Sequence, residues 1–457
     1  MAGPDPASRG APDAAPRGSS LSDVLFGETD AGRVLRWLAG RGVDPRSLAV
    51  GLALTVGAFL VYSFVNHDRR AALDYFVPLA DAFLHGHLGL AAEPASGGYN
   101  ELVPFGGQLF VVYPPLPAVV LMPFVLIFGP GLDQARVSIL FGALNVGLAW
   151  WVAMSMGTRR SSALVLAIVL GFGSIAWYSA QAGTSWHIAH VLGTTFALCA
   201  IGAAVRGGPP WLVGLLVAAM GLCRLPMLLG TPFFLAYVIH RATRETGEPA
   251  GFAAVAIHVS SALRSVAPRR LAGLGATFAV GLGTPLVLYL AYNAARFGNP
   301  FETGYALIPG LLEEWQYQDG FFSVVNIPRK LYAMFLSAPV EVPGFPWIQS
   351  RPLGGLSILL TTPAFLWAIR SRSRDLFTIG AWASVALVMI PVLLHADPGG
   401  VQFGFRYAQD IYPFLFVLVA RSLATGITVE AWLAIGIGLL VNAWGMGSAY
   451  FDWWYRS

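Results

Sequence analysis

Residues Asn66–Leu90 read NHDRRAALDYFVPLADAFLHGHLGL, and after a glycine-rich passage Gly106–Pro117 read GGQLFVVYPPLP. Nearly all the rest of the chain is apolar enough to sit in a bilayer, and this segment is not. It holds His67, Asp68, Arg69, Arg70, Asp74, Asp81, His85 and His87 within a few turns of the first long apolar run. Ionisable groups gathered beside a membrane span point to chemistry carried out there. The competing reading is a solvated connecting loop.

Composition agrees with a membrane setting. Of 457 residues, 56% are hydrophobic and 11% charged, with a mean hydropathy of +0.63. Soluble domains carry about a quarter charged residues, so repeated apolar runs at this low charge argue for a polytopic membrane protein. The net charge of +4 comes from arginines set between apolar runs, with Lys330 the only lysine, and leaves no nucleic-acid footprint. Cys199 and Cys223 both lie in apolar runs, which argues against a structural disulfide or a thiolate metal site. Residues 1–20, rich in Pro, Gly, Ala and Ser, read as a disordered tail and not a signal peptide. An amphipathic helix on the membrane surface is expected over 21–40, and 21–457 read as one transmembrane domain.

The first span is expected at 48–65, preceded by Arg33, Arg36, Arg41 and Arg46, which by the positive-inside rule puts the N-terminus in the cytoplasm. Further apolar runs fall at about 118–129, 135–156, 163–179, 188–205, 210–223, 226–240, 271–294, 354–369, 376–394, 410–422 and 427–446. Run 118–129 is short for a span. Read as re-entrant or interfacial, it lets Arg159/Arg160, Arg241/Arg244 and Arg370/Arg372/Arg374 all face the cytoplasm. The expected fold is an all-α polytopic bundle of about 11–12 spans, with helices in external loops 66–134 and 296–352.

Four constellations can carry chemistry. In ALDYFVPLADAFLHG, Pro78 near a helix start leaves Asp74 in the turn before it, where a carboxylate can act as general base; Asp68 is the second candidate, and helix capping is the plain alternative. In GLCRLPML, Arg224 stands among apolar residues at a cost of about 2.5–3.5 kcal/mol at mid-membrane, so it should face a partner or a cavity. Leu225-Pro226 makes a natural turn there, and a guanidinium at that turn suits a phosphate; a snorkelling arginine is the alternative. In QFGFRYAQDIYPF, Arg406 with Tyr407 is a second phosphate candidate, against an Arg406–Asp410 pair that merely anchors a helix. In TSWHIAHVLG, His187 and His190 are one residue too close for a zincin pair, so they are expected to line a polar cavity with Asp81 and Tyr113 and to hold no metal.

With these residues placed, the chain resembles the C-type polytopic glycosyltransferases, most nearly the bacterial relatives of protein O-mannosyltransferases and lipid A aminoarabinose transferases. LDYFVPLADAFLHGHL, VVYPPLPAVVLMPFVLIFG, GLCRLP, FGNPFETGY and FGFRYAQDIYPF carry the likeness, in the family's order and over most of the chain. The resemblance implies a polyprenyl-phosphate sugar donor, and transfer with inversion at the extracytoplasmic face of a bacterial inner membrane. The acceptor would be an envelope glycan, lipid or protein, and the base an acidic residue of the first external loop. Asp74 takes that role here, with Asp68 in reserve. Arg224, Arg406 and Tyr407 correspond to positions that hold the lipid phosphate. Many relatives carry an Asp-Glu pair where this chain has Asp74-Tyr75; in some that pair recruits a metal, so a need for a divalent cation is left open.

Within the enzymes, a glycan polymerase or ligase is the runner-up, and the acidic first loop argues against it. A transporter or flippase of lipid-linked substrates would show paired inverted repeats, and no repeat is visible. A non-catalytic scaffold of the same fold is the remaining alternative.

Overall fold

The computed structural model describes residues 44–66, 71, 73–93, 101–243, 264, 266–343, 347–351, 353–400 and 402–450. Asp68, the N-terminal tail and the expected surface helix lie outside them. The described residues from Val50 onward form one compact unit, and the packing below is within it.

Helix α1 (Pro45–Val65) leads into the first loop, which carries α2 (Phe76–Leu84), a hairpin of β1 (Leu102–Phe105) and β2 (Gln108–Val111), and α3 (Leu116–Phe128). The helices α4 (Gln134–Ser155), α5 (Arg160–Phe172), α6 (Ala176–Ala182), α7 (Ser185–Val205), α8 (Pro210–Cys223), α9 (Thr231–Thr243) and α10 (Pro268–Phe297) follow. A cap of short 3-10, α and π turns and a two-residue strand pair spans 305–370. Helices α11 (Leu376–Leu394), α12 (Tyr412–Ser422) and α13 (Val429–Tyr450) close the chain.

Among the described residues, α1, α4, α7, Leu225–Thr243, α10, α11 and α13 are long and apolar enough to cross a bilayer. The pair α5 and α6, bent by 45°, makes an eighth such segment if counted as one. The chain is thus an all-α, multi-pass membrane protein. Several apolar runs counted in the sequence prove short or broken. Helix α3 has 13 residues, about 20 Å against a hydrocarbon core of about 30 Å. The turn expected at Leu225-Pro226 separates 210–223 from 226–240, and 354–369 breaks at Thr362-Pro363, because proline cannot continue the preceding helical ladder.

Close packing and satisfied polar groups fix the bundle. On α10, a Cβ at Gly281 would meet the Trp211 carbonyl oxygen at 1.9 Å, and one at Gly214 of α8 would meet the Phe278 carbonyl oxygen at 2.2 Å. Small residues here let two backbones touch, as lipid-embedded helices require. The end of α1 is tied to α6 reciprocally: Asn66 Nδ2 donates to the Gln181 carbonyl, and Gln181 Nε2 to the Tyr62 carbonyl, each at 3.2 Å. In the hairpin, Gly106 and Gly107 hold φ of +57° and +80°, the left-handed pair that a tight two-residue turn demands. Tyr75, Phe76, Leu79, Leu121, Ile188 and Leu192 are buried together and join the first loop to α3 and α7.

Candidate functional site

A cavity of about 560 Å³ opens among the first loop, the N-terminal end of α7, the α8–α9 break, the cap and the 395–411 segment. Cys223, Leu225, Leu229, Pro391 and Val392 give it an apolar wall, and Arg224, Arg406, Tyr407, Asp397, Glu302 and Trp186 a polar one.

The Leu73 carbonyl is one tie of the first loop to this cavity. Leu73 adopts φ of +56°, a costly conformation for a branched side chain. Its oxygen accepts from the Ser185 backbone N–H at 3.1 Å and from the Ser185 hydroxyl at 2.8 Å. Asp74 follows in the turn before α2, where its carbonyl accepts the Val77 N–H at 3.1 Å. Asp74 is half-buried and one residue from this anchor, but its side chain is not among those lining the cavity. Asp81 lies on the open side of α2, 3.7 Å from His85, and not in the cavity wall.

Helix α8 ends at Cys223, and Arg224 takes an extended conformation before the 3-10 turn Leu225–Gly230. The guanidinium donates through Nε and Nη2 to the two oxygens of buried Asp410, at 3.2 and 2.9 Å. His190 Nδ1 meets the same carboxylate at 2.9 Å. His190 and His187 are both buried, and neither is among the residues that line this cavity, where both were expected. His187 Nδ1 is 2.7 Å from the Thr184 hydroxyl. Among the described residues no cluster of three or more metal-ligating side chains occurs.

The alternative Arg406–Asp410 pair does not form. Residues 406–411 are a 3-10 helix, in which positions four apart do not stack, and Asp410 is already taken. Arg406 instead lies 3.7 Å from Asp397 and 3.4 Å from the Tyr407 hydroxyl, and that hydroxyl donates to Asp397 at 2.5 Å. Burial alone would raise the Asp397 carboxyl, but Arg406, the Tyr407 hydroxyl and the Gly399 N–H hold it below the usual range. Arg406 is buried, and its Nε has no hydrogen-bond partner. Its guanidinium carbon sits 5.3 Å from the Trp186 ring centre and 5.1 Å from that of Tyr407. Lys330 reaches under the same ring, 4.6 Å from its centre, and donates to the Asp397 carbonyl. Burial lowers the Lys330 ammonium to about 7.

Tyr113, expected at a cavity, lines it. Its hydroxyl is 2.6 Å from Trp186 Nε1, which also donates to Glu101 Oε2 at 2.9 Å. Burial pushes the Glu101 carboxyl up to about 7, against the opposing pull of the Trp186 N–H and Arg406. Sequence reasoning missed Glu101, Trp186, Glu302 and Asp397. Asp397 had a signal in the turn-forming DPGG that follows Ala396; the others carry none.

With this geometry in hand, two solved structures match most of the chain. ArnT from Cupriavidus metallidurans in the apo state matches at 16% identity and a TM-score of 0.50, over 89% of this chain and 65% of that one. The fold resembles that of ArnT. ArnT bound to undecaprenyl phosphate matches at 18% identity and a TM-score of 0.46, over 87% and 64% of the two chains. The chain therefore spans just under two thirds of the length of the ArnT chains it matches. At such identity the likeness is one of fold, and it agrees with the resemblance to C-type glycosyltransferases read from the sequence. No protein-family model matches the chain, and no curated protein does.

Proposed function

We propose that this protein is a membrane glycosyltransferase. It moves a hexosyl or pentosyl group from a polyprenyl-phosphate donor to a hydroxyl of an envelope glycan, lipid or protein at the extracytoplasmic face of a bacterial inner membrane. One observation carries the reading: Arg406 is a buried guanidinium with an unpartnered Nε on the wall of a cavity whose other wall is apolar. Such a pairing suits a phosphate joined to an isoprenoid tail.

In the reaction, the acceptor oxygen attacks the anomeric carbon as the bond from that carbon to the phosphate oxygen breaks. The acceptor proton passes to the Asp74 carboxylate, with Asp68 the alternative base. The departing lipid phosphate keeps the bonding electrons, and the Arg406 guanidinium, the Tyr407 hydroxyl and the remaining donors of Arg224 stabilise its charge. Trp186 and Tyr113 offer faces and a hydroxyl on which the sugar can rest.

The test is transfer from a panel of labelled polyprenyl-phosphate sugars, in membranes carrying the protein or its Asp74→Asn form. Transfer by the first alone supports the reading and the base. Retained turnover in Asp74→Asn moves the base to Asp68. No transfer from any donor, with folded protein and a range of envelope acceptors supplied, refutes the enzymatic reading.

A further inference from the structure

Glu101 stands at the head of β1, where its backbone N–H donates to the Tyr75 hydroxyl at 3.2 Å. Its Oε2 accepts from the indole Nε1 of Trp186 at 2.9 Å. The same N–H also reaches the Tyr113 hydroxyl at 2.6 Å, and the Arg406 guanidinium carbon is 5.3 Å from the Trp186 ring centre; both Trp186 and Arg406 line the cavity. The three side chains form a relay from carboxylate to indole to guanidinium, drawn from segments that the chain separates by 85 residues in its first link.

We propose that Glu101 is the positioning residue for Arg406: its carboxylate fixes the Trp186 indole, and the indole face holds the guanidinium with its free donors toward the cavity. A carboxylate that accepts the indole N–H pushes electron density into the ring, which strengthens the attraction between the ring face and a cation. A neutral carboxyl does this less. Donor binding is thereby coupled to protonation of a group that does not itself line the cavity.

The charged groups around Glu101 support a proton switch at physiological pH. Arg406 favours the ionised form, while Asp397 of the 395–411 segment and Glu314 of the cap oppose it, and burial opposes it most. The hydroxyls of Tyr75 and Tyr113 complete the polar surroundings. The carboxyl is accordingly raised to about 7. Ionised Glu101 prevails above that pH and protonated Glu101 below it, so Arg406 is held best on the alkaline side.

The inference rests on the proposed role of Arg406 as a phosphate ligand, and the experiment separates the two. The probe is a farnesyl methyl phosphodiester, whose single charge is constant across neutral pH. Its binding to the full chain in lipid nanodiscs is measured between about pH 6 and 8. Wild-type affinity should fall about fivefold toward the acid side, the worth of one cation–π contact. Glu101→Gln should bind at the weak level throughout, with only the pH dependence that Lys330 contributes. Trp186→Phe keeps a ring but lacks the N–H, and should behave like Glu101→Gln, which guards against misfolding of either variant alone. Lys330 titrates in the same range and is intact in both variants. If Glu101→Gln and Trp186→Phe keep wild-type affinity and its pH dependence, the positioning role is overturned. If the folded wild-type protein binds no probe at any pH, the phosphate reading of Arg406 falls first and this inference with it.

Discussion

Replacing Arg406 by alanine should weaken binding of a prenyl phosphodiester by roughly two orders of magnitude. The figure follows from how the two cavity arginines spend their donors. Each guanidinium has five N–H groups. Arg224 commits Nε and Nη2 to Asp410 at 3.2 and 2.9 Å. Arg406 makes one long contact to the Tyr407 hydroxyl at 3.4 Å, lies 3.7 Å from Asp397, and leaves Nε unpartnered. A phosphate can take two parallel bonds from such a fork, each worth about 1.5–3 kcal/mol net. Loosening the Asp397 contact offsets part of this, so about 3 kcal/mol remains, or a factor of about 150 in Kd. Arg406→Lys keeps the charge without the fork and should lose about tenfold. Arg224→Ala should cost less affinity than Arg406→Ala, while destabilising the fold more, because it strands buried Asp410. The assay is equilibrium binding to protein in nanodiscs, with thermal melting of each variant beside it. A folded Arg406→Ala that binds within twofold of wild type refutes the reasoning. So does a larger loss in Arg224→Ala when both variants melt as wild type does.

Asp410→Ala should lower stability by about 3–5 kcal/mol, with Asp410→Asn between it and wild type, since Asp410 is fully buried and serves both Arg224 and His190; equal melting of all three in detergent would contradict this. Lys330 falls from 10.5 to about 7 on burial, so between those values the unfolded chain holds the extra proton and stability rises with pH. Lys330→Met should flatten that rise in melting temperature, and an unchanged slope would remove Lys330 as its source. In a background lacking Cys199 and Cys223, a cysteine at exposed position 108 should label from outside the cell and one at exposed position 160 only from the cytoplasm; the reverse pattern inverts the topology.

The fold was largely legible because its cause is local. Apolar runs long enough to span are read one at a time, and prolines mark where they fail. Asp74 in a turn ahead of α2 and the break at Leu225-Pro226 are both visible from neighbouring residues. What the sequence overcounted was continuity: 354–369 and 410–422 are apolar enough for spans but begin or run as 3-10 helix. The site was legible only as isolated polar groups. Arg224, Arg406, Tyr407 and Tyr113 stood out against apolar surroundings, and they do share a cavity. Their partners did not stand out. The local i,i+4 spacing offered Asp410 to Arg406 as an alternative, whereas the fold gives it to Arg224, 186 positions away. Glu101 and Trp186 look ordinary until the first loop is laid on α7.

The breaks themselves explain why the cavity is where it is. In a bilayer, backbone that leaves the helix must be buried in protein or line a polar space. The extended Arg224, the 3-10 turn after it, the 395–411 segment and the stretch from β2 to α3 all depart from regular α-helix, and all four border the same cavity. Their free groups are met there: the Leu356 N–H donates to the Phe403 carbonyl at 2.8 Å, and the Phe405 N–H to the Leu356 carbonyl at 3.0 Å. Ala396 donates to the Phe321 carbonyl at 2.9 Å. The cap thus supplies the bonds that the broken segment lacks, and in doing so fixes Asp397, Arg406 and Tyr407 on one wall. A wall fixed in this way would need no reorganisation as charge developed on a phosphate bound there, which is what the proposed transfer demands.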